Sequence, residues 1–129
     1  MREILFRGKS EKFGNWIEGS LIIGRDLESG QLEYLIAPLS AYYTEVKKVI
    51  PETVGQYTGL IDKNGTKIFE GDILKGVWGT VCQVVYDDCY LGFRAKEKDG
   101  MHNCIDYYGL DKLEIIGNIH DNPELLGNK

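Results

Sequence analysis

Residues 52–74 leave the chain few ways to fold. Val54, Gln56 and Thr58 alternate with Gly55, Tyr57 and Gly59, which reads as an extended arm with side chains on two faces. Asp62-Lys63-Asn64-Gly65 follows. Asn64-Gly65 is a strong hairpin signal, because both residue types tolerate the positive φ of a tight turn. Thr66 to Phe69 is extended again, Glu70-Gly71-Asp72 turns, and Ile73-Leu74 opens another strand. The pattern predicts a β-meander of three short strands. Two strands alone are marginal in water, so this ribbon must pack on something else. Glu52, Asp62, Glu70 and Asp72 have two readings: a carboxylate cluster for acid–base or metal chemistry, or turn residues on solvated strand faces. The second is taken, since each acid flanks a glycine or a turn, where Asp and Asn bond their own backbone.

The same stretch carries a likeness. Tyr57-Thr58-Gly59-Leu60, Asp62, Gly65, Ile68-Phe69 and Glu70-Gly71-Asp72-Ile73 resemble the signature of the YopX family of phage and prophage proteins. The resemblance extends to Arg2-Glu3-Ile4-Leu5-Phe6-Arg7-Gly8 at the start. At the end it takes in Glu114-Ile115-Ile116-Gly117-Asn118-Ile119-His120-Asp121-Asn122-Pro123-Glu124-Leu125-Leu126, and so covers essentially the whole chain. His120 stands where family members often carry an aromatic. The resemblance implies a compact β-rich fold from bacteriophage or prophage genes. It transfers no catalytic residue, because the family has no established activity.

Elsewhere the pattern is also extended. Arg2–Gly8 reads as a strand, and Trp16–Ile23 and Gln31–Ala37 as a hairpin closed by Gly24–Gly30, with Pro38 stopping the return strand. Ser40–Lys48 is taken as a strand. Thr80–Tyr86 is the clearest strand of the second half, with Val81, Gln83 and Val85 on one face and Cys82, Val84 and Tyr86 on the other. Asp87-Asp88 turns it into Cys89–Arg94, and Ala95–Asn103 reads as a charged loop. Lys112–Ile119 is a last strand. Asn122-Pro123-Glu124 fits a helical start and Gly127 an end. The expected fold is mainly β, with short helical turns only. A small SH3-like β-barrel or meander subdomain packs with an N-terminal β-hairpin subdomain. One domain covers residues 1–129, with subdomains 1–50 and 51–129 and a boundary between Pro38 and Pro51.

Composition narrows function. The chain has 129 residues, 43% of them hydrophobic and 27% charged, enough for a core without staples. Its net charge of −5 does not favour nucleic acid, since phosphate contacts need local positive potential and the one basic cluster, Lys47-Lys48, is short. Three cysteines with no CxxC point to reduced thiols in a cytoplasm, which the resemblance implies is that of a bacterial host. No leader opens the sequence, and no run approaches the roughly 18 apolar residues of a membrane span.

Cys82, Cys89, His102 and Cys104 are the soft ligands of one region, but only His102 and Cys104 are closely spaced, so no zinc site is assigned. Gly8-Lys9-Ser10 lacks the upstream glycine and following helix of a phosphate loop. No catalytic residue, metal or cofactor is assigned. The reading is a non-enzymatic binding or assembly module that self-associates or holds a host or phage protein. Tyr42, Tyr43, Trp78, Tyr90 and Arg94 are its candidate partner-binding surface. The alternative is a nucleic-acid binder in phage gene expression or replication, requiring Arg25, Lys75, Arg94, Lys96 and Lys98 to gather beside Trp78 or Tyr90. A weaker alternative is a small hydrolase joining His102 with Cys104 or Asp106.

Overall fold

A computed structural model describes residues 3–39 and 45–127. They fall into two units, Met1–Tyr57 and Thr58–Lys129.

The first unit is an antiparallel sheet built on a long hairpin. Its strands are β1 (Phe6–Lys9), β2 (Trp16–Arg25), β3 (Leu32–Pro38), β4 (Lys47–Lys48) and the start of β5 (Gly55–Ile61). They lie in the order β4-β3-β2-β1-β5. β1 sets Phe6 against Gly19 and Lys9 against Trp16 of β2, while β2 sets Gly19 against Pro38 and Arg25 against Leu32 of β3. The predicted hairpin is therefore present and slightly longer than its periodicity implied. Gly19 is required by packing: a Cβ there would lie 2.0 Å from the Ala37 carbonyl oxygen. Leu5, Ile36, Val49 and Tyr57 are buried apolar residues among those described in this unit. Thr53 fastens it from below, donating to Ile50 O at 2.6 Å and accepting from Lys9 N at 2.9 Å. Tyr42, Tyr43 and most of the strand expected over Ser40–Lys48 lie outside the described residues; Lys47-Lys48 supply β4.

The second unit holds the rest of β5, then β6 (Lys67–Phe69), β7 (Asp72–Lys75), β8 (Val81–Asp87), β9 (Gly92–Glu97), β10 (His102–Asn103) and β11 (Glu114–Asn118). β6 borders β5, whereas β7 joins a five-stranded antiparallel sheet in the order β10-β9-β8-β7-β11. This corrects the predicted meander: its three strands exist, but the third leaves for another sheet. The cause is the second turn. Gly71 has φ 95°, its N–H bonds Val84 O at 2.9 Å, and the buried Asp72 carboxylate accepts from Phe69 N at 2.8 Å. These bonds turn the chain toward β8 instead of back along β6. The SH3-like barrel is corrected as well. The sheet stays open, with two-residue β10 at one edge and β11 at the other, and barrel closure would need those edges to pair.

The first turn behaves as predicted. Asp62 Oδ1 accepts from Asn64 N and Thr66 N at 2.9 Å each, and Gly65 alone takes the positive φ, 82°. Its other oxygen accepts from Ile115 N of β11 at 3.1 Å, and Lys63 N donates to Leu113 O at 2.8 Å. A local turn residue thus also ties β11 to the turn.

The core beneath this sheet comprises Ile68, Leu74, Cys82, Val84, Ala95, Ile105, Tyr108 and Leu113. Cys82 and Val84 fill the inward face of β8, as the alternation required. Tyr108 donates its hydroxyl to Glu97 at 2.6 Å and accepts from Asn103 at 2.9 Å. Burial, with Glu97 beside it, pushes the Tyr108 hydroxyl up to about 12. The described helical segments are the short 3-10 turns Pro51–Thr53, Val77–Gly79, Ile105–Tyr108 and Pro123–Leu126, as expected.

Candidate functional site

Two surfaces gather chemistry-bearing side chains, one in each unit. In the second unit the predicted Ala95–Asn103 loop is instead a hairpin of β9 and β10, and this puts His102 on a strand. His102 reaches to the end of β8, where its Nδ1 meets Asp87 Oδ2 at 2.5 Å. That bond, more than burial, which opposes it, holds the Asp87 carboxyl below the usual carboxylate range. Arg94 on β9 lies 4.1 Å over the Tyr90 ring and donates Nη1 to Cys104 Sγ at 3.2 Å. Asp87, Tyr90, Arg94, His102 and Cys104 therefore form contacting pairs on the β8–β9–β10 end of the sheet. The polar partner of His102 is Asp87, whereas the hydrolase reading needed Cys104 or Asp106.

Of the candidate partner-binding residues, Tyr90 and Arg94 are in contact and Trp78 lies beyond β8 from them. Trp78 precedes β8 and Tyr90 follows it; a seven-residue strand at about 3.3 Å per residue separates them by roughly 20 Å. Trp78 is 76% exposed, sits in the left-handed region with φ 67°, and has Tyr107 beside it with ring centroids 6.2 Å apart. Of the five basic residues, Arg94 and Lys96 share a face of β9, since they are two apart on one strand. Lys98 lies past the end of β9, Lys75 ends β7, and Arg25 belongs to the first unit. Asp87, Glu97 and Asp99 are interspersed among those of the second unit.

The first unit presents the surface that sequence reasoning missed. Beyond Gly19, no residue of β2 is buried, and Ile22, Ile23, Leu27 and Leu32 are exposed along the hairpin. The tip is rigidly built. Asp26 Oδ1 accepts from Glu28 N and Ser29 N at 2.8 Å each, Gly30 N bonds Asp26 O at 2.9 Å, and Arg25 Nη1 bonds Gly30 O at 2.6 Å. The N–H groups of Ser29 and Glu28 hold the Asp26 carboxyl below its ordinary value. This turn leaves Leu27 fully exposed between Asp26 and Glu28. The β1–β2 turn and β4, which pairs with Leu35 and Ile36 of β3, frame a groove of about 440 Å³ lined by Ser10, Glu11, Lys12, Phe13, Val46, Lys47 and Lys48. Phe13 is 75% exposed, with Lys12 Nζ 5.3 Å from its ring centre. Both features had a signal in the sequence: Leu27 and Phe13 are lone large apolar residues inside otherwise polar turns.

Fold and surface define a two-unit antiparallel β protein that exposes Phe13, Leu27, Trp78 and Tyr90 in turns between its strands. The chain belongs to the YopX family: the family profile described as YopX protein matches residues 5–127. The chain is also similar to a solved structure, the crystal structure of protein EF1440 from Enterococcus faecalis. The two share 25% identity with a TM-score of 0.58, over 98% of this chain and 99% of that one. No curated protein matches. No helix among the described residues is long and apolar enough to cross a membrane.

Proposed function

We propose that this YopX family protein is a non-enzymatic binding and assembly module, acting in the cytoplasm of a bacterial host that carries phage or prophage genes. One observation carries the reading: the β2–β3 hairpin exposes Ile22, Ile23, Leu27 and Leu32, and Gly19 alone of the β2 residues is buried. Ile22 and Ile23 are consecutive on β2 and so face opposite sides, which leaves apolar side chains on both faces of the hairpin for a partner to cover. The expected result is a concentration-dependent rise in mass by light scattering. A constant monomer mass, with no host or phage protein retained on the tagged chain, would sink the reading.

A second reading, nucleic-acid binding, draws on the stacked Arg94–Tyr90 pair with Lys96 on the same face, since Arg and an aromatic ring are what a single strand stacks on. The acids interspersed there weigh against it. If it holds, fluorescence anisotropy with single-stranded DNA gives binding that falls steeply with salt and is lost in Arg94→Ala. Binding that ignores salt would exclude it.

A further inference from the structure

We propose that two copies of this chain pair through the open edge of β2, antiparallel and about a two-fold axis at Ile23, so that their hairpins form one ribbon in the order β3-β2-β2-β3. This rests on the assembly reading above and names its partner and contact.

The open edge follows from the ladder. Successive residues of an antiparallel strand turn their N–H and C=O groups to opposite neighbours. Asn15 accepts from Ser10 N, on the β1 side, and Asp26 donates to Gln31 O, on the β3 side. Both registers run without a bulge, so odd-numbered residues of β2 face β1 and even-numbered ones face β3. The pairing with β1 stops at Gly19, whereas that with β3 continues to Arg25. The backbone groups of Leu21, Ile23 and Arg25 therefore point outward, with no strand of the described residues paired to them. Native edges are guarded by lysines, prolines or bulges. This one carries a single charge, Arg25, whose side chain is drawn to Gly30 O of its own tip.

The edge matches itself. Centred on Ile23, Leu21 pairs with Arg25 of the second copy, Ile23 with Ile23, and Arg25 with Leu21. Every outward N–H and C=O of both copies then gains a partner. A one-residue shift turns the facing groups away from each other. A two-residue shift sets Arg25 against β1 or Leu21 against the tip, and so leaves one of them unpaired. The side chains agree with this register. On one face Ile22, 42% exposed, lies opposite Gly24 of the second copy, which has nothing within 4 Å of where a Cβ would stand. On the other face Ile23, 53% exposed, meets its own equivalent, and apolar surface leaves water on both sides. Parallel pairing would set Arg25 beside Arg25; the antiparallel register keeps them four residues apart, or roughly 13 Å. Any extended peptide satisfies the backbone bonds, but a second copy supplies the isoleucine for each glycine on both strands at once.

The test is sedimentation velocity on the full chain across a hundredfold concentration range, with wild type expected to pass from monomer to dimer. Ile23→Lys sets two like charges side by side at the axis and is expected to stay monomeric with unchanged circular dichroism, while Ile23→Val still dimerises. Register is read separately by disulfide trapping with oxidised glutathione in a Cys89→Ser, Cys104→Ser background. Ile23→Cys is expected to cross-link to itself, and Leu21→Cys only when mixed with Arg25→Cys, because a disulfide needs close Cβ atoms. The trapping reads the contact even if Ile23→Lys loses its fold. Wild-type oligomers untouched by Ile23→Lys, or Leu21→Cys cross-linking to itself as readily as Ile23→Cys, would overturn this contact while leaving the assembly reading intact. A wild-type monomer at every concentration would overturn the contact together with self-association.

Discussion

Replacing Asp62 by Ala is expected to cost about 3 kcal/mol, among the largest effects of any polar change in this chain. The side chain is 5% exposed and accepts from three backbone N–H groups, those of Asn64, Thr66 and Ile115. Leaving a buried donor unsatisfied costs roughly 1–3 kcal/mol, and these three are only partly buried, so water replaces part of what the carboxylate gave. The turn after β5 and the start of β11 should loosen together, because one carboxylate serves both. The effect also depends on pH. Burial raises the Asp62 carboxyl, but the N–H donors of Ile115, Thr66 and Asn64 with nearby Lys63 outweigh it and leave the group below its ordinary value. A lowered folded value means that the stability it contributes is fully present above the unfolded carboxyl's value, about 4, and is lost as pH falls through the folded value. Urea unfolding of wild type should therefore weaken on acidification more than that of Asp62→Asn. An Asp62→Ala midpoint equal to wild type at neutral pH would show that the donors find other acceptors.

The second large effect is expected at Gly19. Its added Cβ would meet the Ala37 carbonyl oxygen at 2.0 Å and Pro38 Cα at 2.9 Å, both backbone atoms that no rotamer change can move. Gly19→Ala must therefore push β2 and β3 apart where the hairpin leaves the core, at an expected cost of about 3 kcal/mol, or about 10 °C in Tm. Gly24, later on the same strand, has nothing within 4 Å of its would-be Cβ, so Gly24→Ala should stay within about 0.5 kcal/mol of wild type. Equal melting temperatures for the two variants would refute the close approach.

Much of this was visible in the sequence because it is local. Asp62 and Gly65 shape the turn after β5 through bonds among residues 62 to 66, and turn chemistry of that kind is written in adjacent letters. The alternation that put Cys82 and Val84 inward needs only the two-residue period of a strand. The candidate surface fared differently. The contact of Arg94 with the Tyr90 ring is not readable from spacing, nor is the run of β8 between Trp78 and Tyr90. His102 was read in a loop because Lys96, Lys98 and Asp99 look like loop residues; they are the exposed rows and turn of a hairpin. Leu27 and Phe13 were passed over as turn residues.

The sequence alone determined that this chain would bend often, run mostly as β-strands and belong with the YopX proteins, since turn and strand preferences are short-range properties of the residues. Only the tertiary structure decided which strands became neighbours. Whether β7 followed β6 or joined β8, and whether the sheet closed, depended on non-local hydrogen bonds such as Gly71 to Val84 and Asp62 to Ile115, whose partners lie far apart along the chain.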